Sequence, residues 1–273
     1  MNFCSHIRTW NMTNLSRLIF CIIICLAVLL LTALPAWTEE MPEDVLDGFK
    51  RAHPDMAPEV SPEIEQKSPE VLKRIESDLS KVALTLDACS TWQKTGYDPD
   101  VIKILKKTET PATLFLGGLW MLNYSQETEA LHDNNLFELG NHSYSHPDLT
   151  RHDPSVIRQE LGYTQLIARK LTGEMPRLFR PPYVKKNNDV VDIAGELGML
   201  TVQYDIASGD ADENASPKEI ADYVIDSVRP GSIVILHMNN PDLPTAEALP
   251  RIIAGLELRG LKPVTVSELK KQQ

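Results

Sequence analysis

From Lys81 onward the sequence alternates between short apolar runs and segments of helix length, and that alternation leaves few ways to fold. The runs are Val82 to Leu86, Ala112 to Leu116, Leu136 to Leu139, Leu178 to Phe179, Leu200 to Tyr204, Ile233 to Leu236 and Pro263 to Val266. Between them lie Asp100 to Lys107, Gln126 to Asp133, Pro154 to Leu171, Asp189 to Leu197, Pro217 to Val228 and Thr245 to Arg259, all read as helices. Ser216-Pro217-Lys218-Glu219 combines a capping box with proline at the first helical position, and Asp153-Pro154 is a start of the same kind. Gly173, Gly198 and Gly260 mark helix ends. Runs too apolar to keep one face in water predict a parallel sheet covered by helices. A closed barrel and an open doubly wound sheet both satisfy that pattern.

The polar residues separate the two. Asp87 follows the first run, His142 the third, Arg180 the fourth, Asp210 comes soon after the fifth, and His237 follows the sixth. In a (β/α) barrel the C-terminal strand ends form one rim, where groups from separate strands converge. The third run carries a pair that stands out chemically. After Leu136-Phe137-Glu138-Leu139 the apolar run stops at Gly140, and His142 and His146 follow four residues apart, with Pro147 biasing His146 away from helical geometry. A strand thus delivers two imidazoles onto one short loop, where they can grip a single ion.

The N-terminus bears on where the protein works. Leu18 to Leu34 is an apolar run broken only by Thr32 and two cysteines, preceded by Arg8 and Arg17 and followed by Pro35-Ala36-Trp37-Thr38. Residues 1–37 are read as a secretory signal, cleaved after Ala36 or Thr38, with Met12 an alternative start. At about 17 residues the run is also just long enough to remain as an uncleaved anchor. The expected location is therefore periplasmic or extracellular, with the membrane involved only through this segment. Cys4, Cys21 and Cys25 belong to it, so the exported part keeps Cys89 alone and has no internal disulfide. Removing residues 1–37 takes away two of 27 bases and none of 38 acids, which leaves a net charge of about −13. A nucleic-acid partner is excluded by that balance. Residues 38–79 are acidic and contain five prolines, from Pro42 to Pro69. They are read as a linker with one helix from Pro69 to Leu79, on which Val71, Leu72 and Ile75 would form a stripe, leaving a single folded domain over 80–273.

Several of these motifs carry a family resemblance. Thr85-Leu86-Asp87, Ala112-Thr113-Leu114-Phe115-Leu116-Gly117-Gly118, Gly140-Asn141-His142-Ser143-Tyr144-Ser145-His146-Pro147, Phe179-Arg180-Pro181-Pro182-Tyr183 and Leu236-His237 resemble the successive motifs of polysaccharide deacetylases of the NodB-homology type, carbohydrate esterase family 4. The resemblance runs in the family's order from about Lys81 to Leu269. It implies a distorted (β/α)7 barrel that removes N-acetyl or O-acetyl groups from a glycan with a divalent metal, zinc foremost and cobalt or nickel as alternatives. On these positions it implies His142 and His146 as metal ligands, Asp87 as the base, Arg180 as its partner, and the backbone N–H of Tyr183 as an oxyanion donor. His237 would be the general acid, oriented by Asp210.

The pattern breaks in two places. The family's second acid after the threonine, a metal ligand, is here Ala88, and Ala211 follows Asp210 where the family has tryptophan. Three outcomes are open for the missing ligand, ranked in this order. Waters fill the gap; Cys89, on the same face of an extended strand as Asp87, substitutes; or the metal is lost and the fold kept for binding. The leading expectation is a metal-assisted deacetylase acting on an acetylated amino sugar. A carbohydrate-binding protein on a disabled deacetylase fold, and a hydrolase of non-sugar C–N bonds, are the alternatives.

Overall fold

The strand β2, Lys81–Ala88, is buried at every position but its first, so it has no wet face. Parallel partners flank it: β3 (Ala112–Leu116) and β9 (Lys262–Val264), and β8 (Ile233–His237). The computed structural model describes residues 70–76, 79–91 and 96–271. The expected signal or anchor over 1–37, and most of the acidic linker, lie outside the described residues. Among the described residues no helix is long and apolar enough to cross a membrane.

Further strands extend the sheet: β4 (Phe137–Asn141), β5 (Leu178–Phe179), β6 (Leu200–Val202), β7 (Ile206–Ala207) and β1 (Val71–Leu72). Their order is β1-β6-β5-β4-β3-β2-β8-β7, with every ladder parallel. Helices α1 (Pro99–Lys107), α2 (Gly118–Asn123), α3 (Ser125–His132), α4 (Pro154–Thr172), α5 (Asn188–Glu196), α6 (Pro217–Ser227), α7 (Thr245–Leu258) and α8 (Val266–Lys270) fill the connections. This is the distorted (β/α)7 barrel the resemblance implied.

The distortion lies between β6 and the β8–β7 side of the sheet: β6 and β7 are consecutive in sequence yet are separated by the whole run of strands between them. Strand β1 spans the gap. It pairs with β6, and just beyond it Arg74 bridges Ser232 while the Ile75 N–H donates to the Gly231 carbonyl at 2.9 Å. Gly231 has φ +82°, and a Cβ there would lie 1.6 Å from the Ile75 carbonyl oxygen, so only glycine permits this approach.

Where a helix was expected over Pro69 to Leu79, the described residues hold the short strand β1 and a bridge at Arg74, and they join the sheet before residue 80. Leu72 and Ile75 join a cluster with Val202, Ile233 and Leu178, and extended backbone satisfies the open sheet edges beside them as a helix would not. Of the Leu200 to Tyr204 run only Leu200–Val202 forms a strand, β6, with β7 following beyond the run at Ile206–Ala207, and Val266 opens α8 instead of ending a strand. Gly173, Gly198 and Gly260 do adopt the left-handed conformation at helix ends, and the Ser216 hydroxyl does accept the Glu219 N–H. The Asp153 side chain makes no such cap bond.

Candidate active site and metal centre

Register fixes the first relationship at the rim. In the β2–β8 ladder Asp87 stands opposite His237, and in the β3–β4 ladder Leu116 stands opposite Asn141. His142 then follows β4 directly, and its N–H continues the ladder to the Leu116 carbonyl at 3.0 Å.

Loop 142–146 is bonded at nearly every residue. The buried Asn141 side chain accepts the Ser143 N–H at 2.9 Å and donates to the Leu161 carbonyl at 3.0 Å. Glu160, a fully buried carboxylate on α4, accepts the N–H groups of Tyr144 and Ser145, both at 2.9 Å, and the Ser145 hydroxyl at 2.7 Å. The first N–H groups of α2, Gly118 and Leu119, donate to the carbonyls of Ser143 and Tyr144. Ser143 and His146 both have φ near +60°, a conformation that costs energy and is held by these bonds.

The clamp brings the two imidazoles together, with ring centroids 4.8 Å apart. His142 Nδ1 lies 2.8 Å from the Arg180 carbonyl. A carbonyl only accepts, so Nδ1 carries the proton and Nε2 presents its lone pair. Burial lowers the pKa of both histidines, that of His146 to about 3, so both are neutral and able to ligate near pH 7. Cys89 Sγ lies 3.5 Å from His142 Nε2, and Cys89, His142 and His146 each offer a ligand atom within 4.8 Å of the others. This donor set suits a divalent ion, zinc in particular. Ala88 is fully buried and offers no donor.

Asp87 Oδ1 accepts from Arg180 Nη1 at 2.6 Å, and Oδ2 lies 3.6 Å from His142 Nε2. Burial works against the ionised carboxylate, but the charge and hydrogen bond of Arg180 beside it hold its pKa below the ordinary value. Arg180 is itself fully buried, its guanidinium 4.1 Å above the Phe115 ring and its Nη2 donating to the Gln203 carbonyl at 3.2 Å.

On the facing side, His237 Nδ1 lies 2.9 Å from Asp210 Oδ1, and the His237 N–H donates to Asp210 Oδ2 at 2.7 Å. Hydroxyls of Ser208 and Thr245 complete the shell of Asp210 at 2.8 and 2.6 Å. Burial opposes the imidazolium of His237, but the hydrogen bond and charge of Asp210, with Asp87 adding, raise its pKa above the ordinary 6.5.

Tyr183, in the single turn Pro182–Val184, has φ +54° and a half-exposed ring packed edge-on against His146 at 4.7 Å. All eight residues singled out in the sequence thus lie around this rim. Sequence reasoning missed the supporting groups Glu160, Asn141, Ser208 and Gln203. Glu160 had a visible signal, a carboxylate between Ile157 and Leu161 on the apolar stripe of α4.

Known proteins resemble this chain in sequence and in fold. The family model described as polysaccharide deacetylase matches residues 74–202. The peptidoglycan-N-acetylmuramic acid deacetylase PdaA of Bacillus subtilis is 30% identical over 254 residues, covering 90% of this chain and 94% of PdaA. The uncharacterized protein YlxY of the same organism is also 30% identical, and the chain spans 62% of its length. Among solved structures, a carbohydrate esterase family 4 pseudoenzyme from Bacillus anthracis superposes with a TM-score of 0.67 at 31% identity, covering 75% of this chain and 70% of that one. A mutant of that pseudoenzyme with restored enzymatic activity matches equally well. On the motifs, the fold and these similarities, the chain belongs to the polysaccharide deacetylase family, carbohydrate esterase family 4, hydrolases of non-peptide carbon–nitrogen bonds in sugars.

Proposed function

We propose that the chain is an exported, metal-assisted deacetylase that removes acetyl groups from the amino sugars of a glycan, with peptidoglycan the first substrate to test. The observation that carries this reading is the position of Asp87, 2.6 Å from Arg180, 3.6 Å from His142 Nε2 and opposite His237 in the ladder. Peptidoglycan is favoured because PdaA, whose name records that substrate, matches along nearly its whole length.

His142 and His146 would hold the ion. Bound there, a divalent cation supplies Lewis acidity that activates water and polarises the acetyl carbonyl. Asp87, kept ionised and oriented by Arg180, takes the proton of the attacking water. The backbone N–H of Tyr183 donates to the oxyanion that develops on the carbonyl. His237, with Nδ1 bonded to Asp210, gives the proton on Nε2 to the departing amine, without which an amide does not cleave. The proton taken by one side of the cleft is thus replaced from the other, and acetate and a free amine result. The −13 charge of the exported part is compatible with a cationic product.

A second reading, a carbohydrate-binding protein on a disabled active site, is favoured by Ala88 and by the likeness to a pseudoenzyme. Acetate release from peptidoglycan and from acetylated chito-oligosaccharides, with zinc, cobalt or nickel supplied, tests the two. Release that Asp87→Asn abolishes supports the deacetylase. Glycan binding with no release under any metal supports the binder.

A further inference from the structure

We propose that Cys89 is the third protein ligand of the metal, so that a thiolate occupies the role left open by Ala88 and the centre is a one-sulfur, two-imidazole site selective for zinc. The proposal rests on the reading of His142 and His146 as ligands.

Three observations carry it. Ala88 is buried with only a methyl group to offer, while Cys89, one residue on and partly buried, falls on the Asp87 side of the strand. The sulfur is also correctly spaced. Ligands bonded at about 2.3 Å through sulfur and about 2.0 Å through nitrogen to one tetrahedral ion stand about 3.5 Å apart, and Cys89 Sγ to His142 Nε2 is 3.5 Å. Finally, His142 is turned the right way: Nδ1 is committed to the Arg180 carbonyl, so the nitrogen facing Cys89 is the one with the lone pair.

The exchange has a chemical consequence. On binding, the thiol gives its proton to solvent and the sulfur becomes a ligand with one negative charge, the same charge an aspartate would bring. The charge of the centre is therefore conserved while its softness is not. Sulfur favours zinc over harder ions and, by donating more electron density, leaves the ion a weaker Lewis acid.

The test uses cobalt as a spectroscopic probe in the full chain. Cobalt-loaded protein is expected to show an intense near-ultraviolet sulfur-to-cobalt charge-transfer band, and Cys89→Ala is expected to lose the band and bind zinc at least about 10-fold more weakly. Cys89→Asp should recover cobalt binding without the band, which separates loss of a ligand from loss of fold. No band in the parent chain, or equal zinc affinity in Cys89→Ala, overturns the proposal. If His142→Ala weakens binding in that case, the two-histidine reading survives; if it too has no effect, that reading falls as well.

Discussion

Asp87 and His237 face one another across the β2–β8 ladder, so the proposed base and acid are neighbours by strand register alone, independent of any loop. The nucleophilic water and the leaving amine are thereby assigned to opposite sides of one narrow cleft. Replacing Asp87 by Asn keeps the shape and a hydrogen-bond acceptor but removes the base. Turnover should fall by about 10²- to 10⁴-fold while bound metal, measured by elemental analysis, stays at the parent level. Unchanged turnover would remove Asp87 from that role.

The pH profile tests the other side of the cleft. His237 acts when protonated, and Asp210 raises its pKa, so activity should fall as pH rises through a value above 6.5. The same shift contributes stability that is fully present below 6.5 and lost as pH rises through the raised value. Asp210→Asn removes the carboxylate that causes the shift. Its alkaline limb, read from kcat/KM against pH, should move to lower pH, and a limb that does not move would separate His237 from the titration.

Glu160 touches neither substrate nor metal, yet its carboxylate receives three donors from the loop between the two histidines. Glu160→Ala leaves those donors buried without a partner, at a cost of about 3 kcal/mol in denaturant unfolding. Zinc affinity should weaken with it, because the imidazoles lose their common frame. Glu160→Gln, which keeps an acceptor, should recover part of both losses.

Barrel closure depends on a single close approach. Gly231→Ala combines a φ of +82° with a methyl group against the Ile75 carbonyl, and should cost about 3 kcal/mol. The segment around β1 should lose hydrogen-exchange protection first. An alanine variant of parent stability would show that β1 does not seal the barrel.

Much of this was legible because apolar runs and glycine stops depend on local physics. The run ending at Gly140, the Ser216 cap and the left-handed Gly173 are each set by a few neighbouring residues. The rim followed from the polar residue placed after each strand. What was not legible depends on distant partners. Val71 and Leu72 carry a helix-like stripe, and only the gap between β6 and β8 makes them a strand. Helix α2 is too short to show a period. Glu160 could be seen as a charge out of place, but not as the holder of a loop fifteen residues earlier. Strand alternation put Cys89 on the Asp87 face, whereas its distance from His142 needed the fold.

Residues from five strand ends converge on one proposed deacetylation centre despite Ala88. The most direct measurement is acetate released from peptidoglycan by the zinc-loaded chain, with Asp87→Asn and metal-stripped protein as controls. Release that both controls abolish is the expected result. Release that survives in either control, or none from any acetylated glycan by a chain that holds its zinc, would contradict it.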